Sequence, residues 1–212
     1  MKTSIQKIRR QDLVRAAYRT FIDHGLEGMT MARIGQRAGM SHGIVNYYFK
    51  GKAELLDAVV RHANCLIMQE VAARLRRAQT PRERLSAIVE GNFRAELFNR
   101  ETANAWTSFY AAVPNRREFE RLQRAVYRRL RSNLMHDLTH LVDRARAEEI
   151  ALGVSVWIDG LWLRRALAGE DLTAEQAIRT VNAYLDQCLA AAAAAKNGGS
   201  AAASSGRRHA KG

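Results

Sequence analysis

The chain has 212 residues, enough for one large domain or two small ones, and 47% of them are hydrophobic, ample for a packed core. No apolar run approaches the ~20 residues of a membrane-spanning helix, and the basic N-terminus lacks the apolar stretch and cleavage site of a secretory signal. Cys65 and Cys188 lie far apart and outside metal-ligand spacing, which fits a reducing, cytoplasmic setting with both thiols as small buried groups.

The net charge of +13 is unevenly spread. Residues 1–52 hold 10 Lys/Arg against 3 Asp/Glu, residues 53–189 hold 20 against 18, and residues 190–212 hold 4 against none. A compact basic unit joined to a nearly neutral body is the footprint of a nucleic-acid reader with a separate ligand or partner module.

Helical periodicity dominates from the start. Leu13, Ala16, Ala17, Thr20 and Phe21 form one apolar stripe of a first helix, with Gly25 placed as its stop. Thr30 is a suitable N-cap for a short helix over 31–38 whose inward residues are Ile34 and Ala38. Gly39 ends it, and Ser41 caps a third.

The next stretch, "IVNYYF" at 44–49, has the propensity of a strand, yet neither neighbour offers it a partner strand. A helix from His42 to Phe49 resolves this. It puts Val45, Tyr48 and Phe49 on one packing stripe and turns His42, Asn46 and Tyr47 to another side.

A long helix is predicted over 52–78, with Lys52 at its start. Another opens at Thr80, Pro81 and Glu83, which are N-cap, first position and third position. Further helices are predicted near 101–112, 115–142, 146–168 and 173–189. From Ala190 the composition collapses to Ala, Gly and Ser and predicts an unstructured basic tail. The fold class is therefore all-α. It comprises a small N-terminal unit (1–52), a larger helical body (53–189) and the tail (190–212).

Two short helices joined by a tight turn at Gly39 are the arrangement of a helix-turn-helix, over about 31–50, with the later helix entering the major groove. Candidate DNA contacts are Thr30, Arg33, Ser41, His42, Gly43, Asn46, Tyr47 and Lys52. Phosphate contacts would hold register, and side chains of the short helix would discriminate bases. An enzyme is not indicated: there is no Gly-rich phosphate loop and no Gly-x-Ser-x-Gly elbow. His136 and His140 stand at metal-binding spacing on a helix, but no third ligand is evident, and a solvated helix face accounts for them.

The segment "AAYRTFIDHGLEGMTMARIGQRAGMSHGIVNYYFKGKAELL" resembles the TetR family of bacterial transcriptional regulators. It carries the family's Ala-Ala, Phe and Gly of helix one, the Thr before helix two, the Ala-Gly-Met-Ser turn and the Tyr-x-Phe-x-x-Lys-x-x-Leu ending. One departure stands out: most members place Tyr where this chain has Asn46, so Tyr47 would take part of that phosphate-contacting role. In the body, "RRLRSNL" (128–134), "IDGLWLRRALAGE" (158–170) and "EGNF" (90–93) are similar to the BetI branch of that family. The resemblance implies a homodimer built through the helices near 146–168 and 173–189. It also implies a repressor of choline-uptake and glycine-betaine genes that choline releases from double-stranded operator DNA.

Choline is a quaternary ammonium with no N–H to donate, so aromatic faces aided by a carboxylate would hold it. Trp106, Phe109 and Tyr110 share a helical face. Trp157, Asp159 and Trp162 form a second candidate group. Trp157 and Trp162 are five residues, about 500°, apart on a helix and cannot both face one pocket. Aromatics at such spacing also serve as plain core or dimer interface. A TetR-type repressor answering another cationic or hydrophobic ligand, or a DNA-binding protein with no effector, are the alternative readings.

Overall fold

A computed structural model describes residues 2–167 and 172–206. The described residues form nine α-helices: α1 (Lys2–Gly28), α2 (Met31–Ala38), α3 (His42–Tyr48), α4 (Lys52–Leu75), α5 (Pro81–Asn92), α6 (Arg100–Ala112), α7 (Arg117–Leu138), α8 (Arg144–Leu167) and α9 (Ala174–Gly206). A 3-10 turn, Val113–Asn115, joins α6 to α7. The all-α expectation holds, and "IVNYYF" is helical as far as Tyr48. Val45 and Phe49 are fully buried there, so packing on α1 and α2 overrides β propensity.

Helix ends follow their capping residues. Thr30, Ser41, Thr80 and Asn99 each accept a hydrogen bond from the backbone N–H three residues on. Thr173 and Gln176 bond reciprocally at the start of α9, as a capping box does.

Two ends depart from expectation. Helix α1 begins at Lys2, where no apolar stripe gives a periodic signal, although its helical run does break at Gly25 as expected, with φ of 64° and ψ of −171°. The stretch from Ala190, expected to be unstructured, is helical to Gly206. Alanine is the strongest helix former, and the run at 190–195 extends a helix already nucleated by packing, whereas nothing in the structure explains helix through the Asn-Gly-Gly-Ser stretch that follows. The remainder of the predicted tail, 207–212, lies outside the described residues.

Two cores organise the molecule. The first joins α1, α2 and α3 with the start of α4, and it also takes in Phe109 of α6 and Phe119 and Leu122 of α7. Side chains on both sides of position 52 therefore share one apolar cluster. The second gathers α5, α8, α9 and the end of α7 around Ile88, Phe93, Leu134 and Val154. Across α5 and α7, Arg84 Nε donates to Asp137 Oδ1 at 2.7 Å, and Asp137 is only 2% exposed.

Candidate DNA-reading face and effector cavity

The reading unit is set by a close approach of α2 and α3. A Cβ on Gly35 would stand 2.7 Å from the Met40 carbonyl oxygen and 3.2 Å from Val45 Cγ2, so only glycine admits this turn. Gly39 closes α2 in the left-handed region at φ 64°, and the N–H of Met40 returns to the Gly35 carbonyl at 2.8 Å. The buried side of α3 is Val45 and Phe49. His42, Gly43, Asn46 and Tyr47 are exposed, and Tyr47 keeps 72% of its surface open. Ser41 is exposed as well, with its hydroxyl capping α3.

Besides Ser41, three of the predicted DNA contacts are engaged within the chain. Thr30 caps α2 through the Arg33 N–H. The Arg33 guanidinium donates to the Gly28 carbonyl at 3.1 Å. Lys52 Nζ donates to the Glu27 carbonyl at 3.3 Å and so ties the start of α4 to the end of α1. Partial burial, together with the nearby Arg116 guanidinium, holds the Lys52 ammonium below its usual range.

In the body, a cavity of about 110 Å³ lies between α4, α5, α6, α7 and α8. Four aromatic side chains line it: Trp106, Tyr110, Tyr127 and Trp162. Asp159 is the one carboxylate among its lining residues, while Arg129 stands where the cavity adjoins a second surface groove. The Tyr127 hydroxyl donates to Asp159 Oδ2 at 2.7 Å. Burial pushes the Asp159 carboxyl above the ordinary carboxylate range, and the Tyr127 hydrogen bond partly offsets that. Burial and the same hydrogen bond push the Tyr127 phenol up to about 12. Tyr110 is raised too, chiefly by burial and then by the nearby Asp159. Trp162 is fixed by its ring N–H, which donates to the Asn92 carbonyl at 3.3 Å, and by an edge contact with Phe98 at 4.9 Å.

Of the six ligand candidates named from the sequence, Trp106, Tyr110, Asp159 and Trp162 meet at this cavity. Phe109 does not: it is fully buried in the first core, one helical step from the lining face. Trp157 does not either. It sits on the outer side of α8, 41% exposed and 6.2 Å from the Tyr184 ring of α9. The five-residue spacing separates Trp157 from Trp162 as helix geometry requires. Sequence reasoning does not single out Tyr127. It lies on the Arg-rich α7, where its side chain reads as part of a solvated face until α8 brings Asp159 against it.

The cavity touches the reading unit through α6. Trp106 packs edge-on against Phe21 of α1, centroids 5.4 Å apart. Next to the Gly25 bend, the N–H of Leu26 donates to Ser108 Oγ at 2.9 Å, and Ser108 donates in turn to the Ala105 carbonyl at 2.6 Å.

Comparison with known proteins places the chain in a family. Residues 13–59 match the family model described as bacterial regulatory proteins, tetR family, and residues 81–190 match the BetI-type transcriptional repressor C-terminal model. The chain belongs to the TetR family. It is 40% identical over 191 residues to the HTH-type transcriptional regulator BetI of Paraburkholderia xenovorans (strain LB400), covering 90% of this chain and 98% of that one. It is likewise 40% identical over 194 residues to BetI of Burkholderia mallei (strain NCTC 10229), covering 89% and 97%.

Solved structures share the TetR fold. A transcription regulator from Haloarcula marismortui superposes with a TM-score of 0.76 at 22% identity, over 85% of this chain and 98% of that one. A regulator from Saccharomonospora viridis, solved in complex with choline, superposes with a TM-score of 0.68 at 21% identity, over 84% and 95%. As a BetI-like TetR repressor the protein is a DNA-binding regulator and not an enzyme.

Proposed function

We propose that this protein represses genes of choline uptake and glycine betaine synthesis and is released from its operator by choline. The observation that carries this reading is the cavity itself, in which four aromatic rings surround a site with a half-buried carboxylate. A quaternary ammonium presents only methyl groups and charge. Aromatic faces attract it without needing a hydrogen bond, at ~2 kcal/mol per desolvated contact. The volume suits a small cation rather than the drug-sized ligands that fill cavities of roughly 300 Å³ or more. Choline bound to the structural relative from Saccharomonospora viridis agrees with this.

The working unit is a cytoplasmic homodimer joined through α8 and α9. Leu152, Val156, Leu163 and Leu167 leave a large apolar stripe exposed along α8, which a second copy would cover. Two reading heads then enter successive major grooves, ~34 Å apart. Effector in the cavity displaces α6 and α4, changes that separation and lowers DNA affinity by linkage.

The test is a gel-shift titration on the promoter regions of choline oxidation and transport genes. Choline releases the DNA, whereas ethanolamine, which keeps N–H groups and lacks methyls, acts far more weakly. Release by another quaternary cation but not by choline would reassign the effector, and no release by any cation would end the ligand reading.

A further inference from the structure

Helix α1 overhangs the three-helix reading unit. From Ile5 onward its first buried residue is Leu13, and residues 5–11 are all exposed. It continues a helix that packing nucleates from Leu13 onward, so its helicity needs no further partner. The overhang contains no acidic residue. Arg10 is used internally: its guanidinium lies 4.6 Å over the Phe49 ring and 3.8 Å from Glu54. Lys7 and Arg9 pair with no carboxylate among the described residues. Arg9, Ile5 and Gln6 form one wall of a groove whose other wall is Ser41, Gly43 and Tyr47 of the reading helix and its cap. Gln6 Nε2 lies 3.5 Å from the Tyr47 hydroxyl.

We propose that this overhang is a second DNA-contacting element, in which Arg9 and Gln6 hold phosphates of the strand that borders the groove entered by α3. The proposal rests on the DNA-reading role of α3. The groove opens on the same surface as the exposed Tyr47, so a duplex seated on α3 brings its backbone past Arg9. Arg33 and Lys52, the cations named as DNA contacts from the sequence, each spend one donor on a backbone carbonyl. Arg9 carries an uncommitted charge in the position where a phosphate needs one. Phosphate binding of this kind fixes register and adds affinity without reading bases.

The experiment uses the full chain and a duplex selected by the wild-type protein from a random library. Binding is measured for wild type, Arg9→Ala, Arg9→Lys and Gln6→Ala across a salt series. Removing one cation from a phosphate makes the slope of log affinity against log salt shallower by about 0.9. Arg9→Ala is expected to bind roughly tenfold more weakly on selected and unrelated duplexes alike. Arg9→Lys is expected to restore most of the slope, and Gln6→Ala to weaken binding while leaving the slope nearly unchanged. An unaltered slope and affinity in Arg9→Ala, with wild type binding normally, overturns the proposal while leaving the reading helix intact. Failure of the wild type to select any duplex overturns the DNA-reading role and this proposal with it. Thermal unfolding of Arg9→Ala within a degree or two of wild type shows that Arg9 acts at the DNA and not through folding, since Arg9 lies outside the core.

Discussion

Trp106 stands with one side in the aromatic-lined cavity and its ring edge-on to Phe21, centroids 5.4 Å apart. One side chain thus belongs both to the ligand's wall and to the packing of α1. A ligand that shifts Trp106 moves the helix on which α2 and α3 are built, and the interior is too densely packed to absorb the displacement. Trp106→Leu is expected to keep operator binding and to lose roughly 30-fold in cation affinity, a contact of ~2 kcal/mol. Phe21→Leu is expected to bind the cation within a few-fold of wild type but to release DNA less completely. Calorimetry with and without operator separates the two effects, and equal behaviour of both variants would deny Trp106 its double role.

In the proposed cation site Asp159 is the one carboxylate among the lining residues. The cation favours its ionised form, so the carboxyl of the occupied cavity titrates lower than that of the empty one. Affinity is therefore full above the raised pKa of the empty site and falls as pH drops through it. Asp159→Asn is expected to lose roughly tenfold or more in cation affinity and to flatten this pH dependence. Titration calorimetry from mildly acidic to neutral pH reads both. A wild-type affinity indifferent to pH over that range would show that the carboxylate does not contribute.

Tyr127 steadies that carboxylate through its hydroxyl. Because the hydrogen bond lowers the Asp159 pKa, Tyr127→Phe is expected to raise it further. The acid edge of cation binding then moves to higher pH, while affinity well above that edge changes little. A pH profile that superposes on wild type would show that the hydroxyl has no such influence.

Asn46 is exposed on α3, beside His42 and Tyr47 in the same surface. If its amide reads a base edge, Asn46→Ala relaxes preference at one operator position by ~1–3 kcal/mol. If it only fills space, binding weakens equally for all bases. A scan of single-base operator variants distinguishes the two.

Two substitutions probe the frame. Gly35→Ala drives a methyl into the Met40 carbonyl and is expected to cost about 1–3 kcal/mol while displacing α3, so operator binding falls as well. Arg84→Met leaves the buried Asp137 carboxylate without its cation and is expected to cost about 3 kcal/mol in urea unfolding. A loss below about 1 kcal/mol would mean that water replaces Arg84 at no great cost.

The helical class, the helix-turn-helix and the division of α3 into a packed and an exposed side were legible in the residues alone. Capping residues and apolar spacing act over three or four residues, and Thr30, Gly39, Ser41 and Val45 are close enough in the chain to specify that motif locally. That α6 and α8 carry aromatics at helical spacing was legible in the residues too. Which aromatics meet depended instead on how the helices pack. Phe109 and Tyr110 are neighbours in sequence, but the rotation of α6 against α1 and α7 buries the first in the core and turns the second into the cavity. Tyr127 and Asp159 lie 32 residues apart and become partners only because α7 packs on α8. The overhang of α1 was invisible for another reason. It has no core to impose a period on its residues, and its neighbour, Tyr47, is brought to it by the fold.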